Sequence, residues 1–297
     1  MKPGRLLVFA VLLFAAPAWS SGFSGMIVLS PAEVFQGGLV RITVSGEEVA
    51  EVSGFLTNRS IAFFAEAGGS YSALLGVDLE HKPGPLAITI RGRGKGKEPW
   101  DRSLLLHVKE KTFPHEELTV PSTFDRIDEA TRKRIERERA ALERLWALAT
   151  PRRLWEGGFV RPVSGGVTSP FGLRRIINGY PRLPHGGVDL KGSLGTEIRA
   201  ANHGRVIVRD DFYFSGKSIV VDHGAGLYTM YFHLSDFAVE KDAFVRKGDV
   251  IGRVGMSGRV TGPHLHWGAR LNGARIDPFE MVDATVVKPE AGGSGAR

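Results

Sequence analysis

Cysteine is absent from the 297 residues. That excludes a thiolate nucleophile, a thiolate metal site and any stabilising disulfide, and it leaves His, Asp and Glu as the side chains able to hold a metal. Long apolar runs are scarce as well. The stretch Leu6–Ala16 follows Lys2 and Arg5 and leads to Ala18-Trp19-Ser20, a small-x-small pattern. It is shorter than the about 20 residues that span a bilayer and reads as a secretory signal, residues 1–20. No later segment is long and apolar enough to span. The expectation is an exported chain, periplasmic or secreted, with no stable membrane span in its mature part.

Two nucleotide- and metal-binding patterns are imitated but incomplete. Ser215-Gly216-Lys217-Ser218 looks like a phosphate-binding loop, yet Asp211 stands where GxxxxGK[ST] requires its first Gly. His115-Glu116-Glu117-Leu118-Thr119 begins like HExxH, but Thr119 occupies the place of the second His. An acidic surplus is also missing: the formal charge is +7, and losing the two charges of Lys2 and Arg5 leaves +5. Outside a cell this favours an anionic wall or lipid head groups over nucleic acid, so no nucleic-acid partner is expected.

What is present falls into blocks. From Met26 to Lys109, short runs rich in β-branched and aromatic residues (Met26–Leu29, Leu39–Val44, Ile61–Ala65, Tyr71–Val77, Leu86–Ile90, Leu104–Val108) are punctuated by Gly and Pro. This spacing predicts an immunoglobulin-like β-sandwich over 21–110. The run Arg91–Lys97, with Gly alternating with charge, reads as a solvated hairpin, and His81 and His107 read as structural. Over 111–157 the composition turns to Glu, Arg, Ala and Leu, with Ile127, Ile135, Leu142, Leu145 and Trp146 near helical spacing, which predicts a linker helix. A glycine-rich β pattern returns over 158–284, and a Gly/Ser-rich tail, 285–297, is expected to be disordered. The fold class expected is mainly β.

Chemistry concentrates where histidines do. In His264-Leu265-His266 the period of two puts both imidazoles on one face of a strand, with Cα atoms about 7 Å apart. In His185-Gly186-Gly187-Val188-Asp189 the two glycines let the backbone bend so that His185 folds back toward Asp189, which a straight strand would hold about 13 Å away. Two nitrogens and one oxygen with a fourth position open suit a catalytic zinc, which lowers the pKa of its water toward about 7 and polarises a carbonyl. His264 is placed to act as base and His233, in Tyr231-Phe232-His233-Leu234-Ser235, to stabilise an oxyanion. His203 and His223 lie in turn-like contexts and read as structural.

The segments Thr168-Ser169-Pro170-Phe171-Gly172, His185-Gly186-Gly187-Val188-Asp189-Leu190, Asp222-His223-Gly224, Tyr231–Ser235, Gly258–Trp267 and Asp277-Pro278 together resemble the LytM or lysostaphin-type M23 metallopeptidases, in family order over about 120 residues. The resemblance implies an antiparallel β catalytic domain at 158–284 and one Zn²⁺ on His185, Asp189 and His266, with His264 and His233 as the catalytic pair. It also implies cleavage of peptidoglycan stem-peptide cross-links. Some members help the oxyanion with a Tyr before the first zinc His, and Tyr180 lies nearby. The family includes inactive members that lack metal-site residues and instead activate amidases, which implies as the alternative a wall-binding regulator of a partner hydrolase. With all five positions filled, the endopeptidase reading leads and other cell-wall enzymes remain candidate partners.

Overall fold

The computed structural model describes residues 23–46, 49–57, 59–95, 98–120, 127–146 and 150–285. The expected signal segment and the tail from 286 onward lie outside the described residues. Thr285, which the sequence assigns to the tail, instead closes the helix Pro278–Thr285 and is buried.

Two sheets face each other in the first part of the chain. One runs Gly25–Ser30, Leu39–Gly46, Tyr71–Gly76, Phe64–Ala65; the other runs Glu33–Phe35, Pro99–Lys109, Gly84–Gly94, Val49–Leu56, Arg59–Ile61. In Pro99–Lys109, Trp100, Leu104, Leu106 and Val108 are buried while Asp101, Ser103, Leu105 and His107 are exposed, as a sheet with one wet face requires. The buried set meets Ile42, Val44 and Leu75 of the opposite sheet. Antiparallel pairing of Gly84–Gly94 with Pro99–Lys109 makes the expected hairpin of the Arg91–Lys97 run, of which Gly96 and Lys97 lie outside the described residues. The periodicity does not signal Val49–Leu56, because Glu51, Ser53 and Gly54 interrupt its apolar residues.

The helix Glu129–Trp146 starts where the Asp128 carboxylate accepts the Thr131 N–H at 2.7 Å. None of its residues is fully buried, but Leu142, Leu145 and Trp146 pack on Val208, Phe212, Val220, Tyr228 and Met230. Polar contacts fix the same docking: Arg134 donates to the Asp211 carbonyl at 2.7 Å, and the Glu138 carboxylate accepts the Tyr213 N–H at 2.9 Å.

Beneath the helix lies the large sheet, with path Val167–Ser169, Gly187–Lys191, His264–Leu271, Leu227–Phe237, Gly216–Asp222, Gly204–Phe212, Phe244–Val245. Its central strands are apolar on both sides because both are covered. Ile219, Val221, Tyr231, Leu265 and Trp267 face the main core, whereas Val220, Tyr228 and Met230 face the helix. That core also takes in Leu39 and Leu74 from an N-terminal sheet and Leu79 from the turn that follows it. An ion-pair cluster seals the same junction: the Arg275 guanidinium donates to Asp78 at 2.6 and 3.0 Å and to Glu80 at 2.7 Å.

His223 is fully buried in this core. Its Nδ1 lies 2.7 Å from the His203 carbonyl and its Nε2 2.7 Å from the Thr229 hydroxyl, which is 2.9 Å from the Tyr231 hydroxyl. Burial pushes the His223 imidazole down to about 4 from an ordinary 6.5, only partly opposed by the His203 carbonyl. Between those values the unfolded chain binds the extra proton, so His223 contributes full stability above pH 6.5 and loses it as pH falls toward 4. The expected loss is about 3 kcal/mol, by 1.36 kcal/mol per pKa unit. Urea unfolding at a series of pH values, run beside His223→Gln, checks it: the wild-type curve should fall more steeply in this window.

Candidate metal centre

The strand Gly187–Lys191 pairs antiparallel with His264–Leu271, and the register sets Asp189 opposite His266. The same His266 faces Phe232 across the other neighbouring strand. A short loop brings His185 back over this row: its N–H donates to the Leu173 carbonyl at 3.0 Å and its own carbonyl accepts the Gly172 N–H at 2.8 Å. His185 is thus held back toward Asp189, its Nε2 3.0 Å from Asp189 Oδ1, although neither Gly186 nor Gly187 takes a positive φ.

Three donor atoms converge there. His185 Nε2 is 2.9 Å from His266 Nδ1, and each nitrogen is 3.0 Å from Asp189 Oδ1. The side chains are largely enclosed, 10%, 14% and 14% exposed for His185, Asp189 and His266. Donor bonds of about 2.0–2.1 Å in tetrahedral geometry would hold such atoms about 3.3 Å apart, so the triangle fits a zinc-sized ion after opening by a few tenths of an ångström.

Proton counting points the same way. The Pro170 carbonyl, 2.9 Å from His185 Nδ1, can only accept, so neutral His185 carries its proton on Nδ1 and turns a lone pair inward. With the carboxylate and His266 Nδ1, three acceptor positions then share at most one proton, a frustration that a cation relieves. Burial alone would raise the Asp189 carboxyl, but a proton carried toward it by the His185 or His266 ring holds it far below the ordinary carboxylate range. Burial depresses His266, with the Asp189 hydrogen bond opposing.

His264 and His233 stand beside the triangle. His264 Nε2 is 3.8 Å from Asp189 Oδ1 while its Nδ1 lies 2.9 Å from the Gly262 carbonyl. The His233 ring is 5.0 Å from that of His264 and 6.1 Å from that of His266. Its Nδ1 is 3.0 Å from the Ser257 carbonyl, and burial pushes it down to about 4. At φ 66, His233 is in the left-handed region that non-glycine residues avoid, a backbone cost that orients its ring beside His264. All five expected side chains therefore share one face. Tyr180 is 70% exposed, in the short strand Tyr180–Pro181.

Several supporting groups escape sequence reasoning. The carbonyls of Pro170, Gly262 and Ser257 set the three imidazole tautomers, and Phe232 stacks flat on His266, 5.3 Å between centroids. Phe232 was visible as the residue before His233, but nothing in the motif says that it backs a ligand. Gly187 matters through close approach: a Cβ there would lie 2.7 Å from His266 Nε2 and 2.5 Å from the Trp267 carbonyl. Gly187→Ala is expected to displace the imidazole and weaken metal binding roughly tenfold to a hundredfold, the range seen when groups supporting a metal ligand are altered. Zinc competition with a chromophoric chelator measures it.

Comparison with known proteins agrees with this geometry. Residues 183–278 match the model of peptidase family M23. A solved chain from Pseudomonas aeruginosa, assigned to peptidase M23, superposes with TM-score 0.67 and 31% identity over 84% of this chain and 95% of its own. The DD-carboxypeptidase/endopeptidase Mpg of Neisseria meningitidis is 38% identical over 129 residues, 43% of this chain and 30% of that protein. The murein hydrolase activator EnvC of Escherichia coli is 33% identical over 159 residues, 52% of this chain and 36% of that one. The matched part thus spans about a third of these two relatives' length.

Proposed function

The chain belongs to peptidase family M23, and from that premise we propose that it is a zinc-dependent endopeptidase of peptidoglycan stem-peptide cross-links, working outside the cytoplasm. The observation that carries this reading is the donor triangle of His185, Asp189 and His266, with two further imidazoles on its open side. An ion held by His185, Asp189 and His266 would supply Lewis acidity toward a carbonyl and a nearby water.

The protein's own groups do the rest. His264, its Nδ1–H engaged by the Gly262 carbonyl, presents a bare Nε2 that takes the proton of the attacking water and returns it to the leaving amine. His233 has the same tautomer, since the Ser257 carbonyl can only accept. It therefore stabilises the tetrahedral oxygen in its protonated form, which the approaching negative charge favours over the neutral form that burial enforces. The relatives' named activities support the substrate class, an endopeptidase in Mpg and a DD-endopeptidase acting on peptidoglycan in ShyA of Vibrio cholerae.

The test is mass analysis of muropeptides released from purified sacculi by the mature protein. Cleaved cross-links are expected with zinc and none after chelation. Intact cross-links throughout, together with stimulation of a separate hydrolase, would favour the wall-binding activator that the likeness to EnvC suggests.

A further inference from the structure

We infer that Lys191 is a specificity-determining residue that docks a free carboxylate of the substrate beside the scissile bond, an inference that rests on the peptidase reading above.

Lys191 ends the strand that carries Asp189. Being two residues further on, it emerges on the same face, about 7 Å along the strand. The register sets it directly opposite His264, and His264 is bridged on its other side to Gly255. Lys191, the proposed base and the Gly255 segment therefore form one row across the sheet, next to the row of Asp189, His266 and Phe232.

Other cations near the site are already engaged. Arg175 hydrogen-bonds Glu116 and Ser169, Arg253 is held by Glu197 and the Gly195 carbonyl, and the Lys217 ammonium donates to the Ser235 carbonyl. Lys191 is exposed, and among the described residues its ammonium has neither a hydrogen-bond nor an ion-pair partner. Leu194, three residues further along the chain, is 67% exposed, and Met256, next to Gly255 of the same row, is 52% exposed. The segments that carry them are joined where the Gly195 N–H donates to the Val254 carbonyl at 2.8 Å. A free cation two residues along the strand from the metal triangle, with exposed apolar side chains on the adjoining segments, suits a short aliphatic residue bearing a carboxylate. Stem peptides of a bacterial wall offer that chemistry, and the flexible lysine stem lets the charge follow the ligand.

The experiment compares wild type, Lys191→Gln and Lys191→Arg on two synthetic cross-linked stem peptides, identical except that the carboxylate next to the scissile bond is free in one and amidated in the other. Lys191→Gln should raise KM roughly tenfold on the free acid with kcat within about twofold, the size of one hydrogen bond to a charged group. It should leave the amidated substrate unchanged, while Lys191→Arg keeps most of the wild-type KM. High salt should narrow the gap between wild type and Lys191→Gln. Equal kinetics of Lys191→Gln and wild type on both substrates, or equal losses on both, would overturn the assignment. Failure of wild type on both substrates would instead overturn the peptidase reading, and this inference with it.

Discussion

His264→Ala is expected to abolish cleavage of cross-linked stem peptides, lowering kcat by about 10³-fold, within the range for loss of a positioned general base. Metal binding should survive, because the three donor atoms belong to His185, Asp189 and His266, and His264 Nε2 stands outside the triangle at 3.8 Å from Asp189. Kinetics on a soluble cross-linked peptide and metal analysis of the same preparation separate the two effects. The assignment of His264 fails if the variant retains wild-type kcat, and it also fails if the variant loses its zinc.

Asp189→Ala is expected to lose metal and activity together. Zinc content after dialysis should drop from about one per chain to near zero, because a site of two imidazoles is left without its only anion. The stability readout is independent of activity. Zinc at a thousandfold excess over its dissociation constant should stabilise the wild type by about 4 kcal/mol and leave Asp189→Ala unmoved. A variant whose melting temperature still rises with zinc would place the metal elsewhere.

How much of this could be read from the chain depends on which atoms do the work. His264 and His266 share a face because of the period of two, and His185 stands just before the strand that carries Asp189; both facts lie in side-chain order. The carbonyls of Pro170, Gly262 and Ser257 carry no residue identity, so the tautomers they impose become visible only in three dimensions. The helix Pro278–Thr285 goes unread although its start is marked: Asp277 caps the Phe279 N–H at 3.0 Å and Pro278 sits at the first helical position. The shared core had a faint signature in Tyr71–Gly76, where five consecutive buried residues leave no wet face. A strand buried on both sides needs a second partner, which turned out to be the sheet of the metal centre, with Leu74 inside its core.

The helix Glu129–Trp146 has a practical corollary. Its Leu142, Leu145 and Trp146 cover the apolar cluster that continues through Phe232 to the ring of His266. A truncated protein limited to the family-matched span, 183–278, would strip this roof and wet the back of a ligand. The smallest fragment of this chain able to hold an ion well should therefore begin upstream of Glu129, and gene-level dissection at the motif borders would yield a fragment that carries every proposed ligand yet holds its ion poorly.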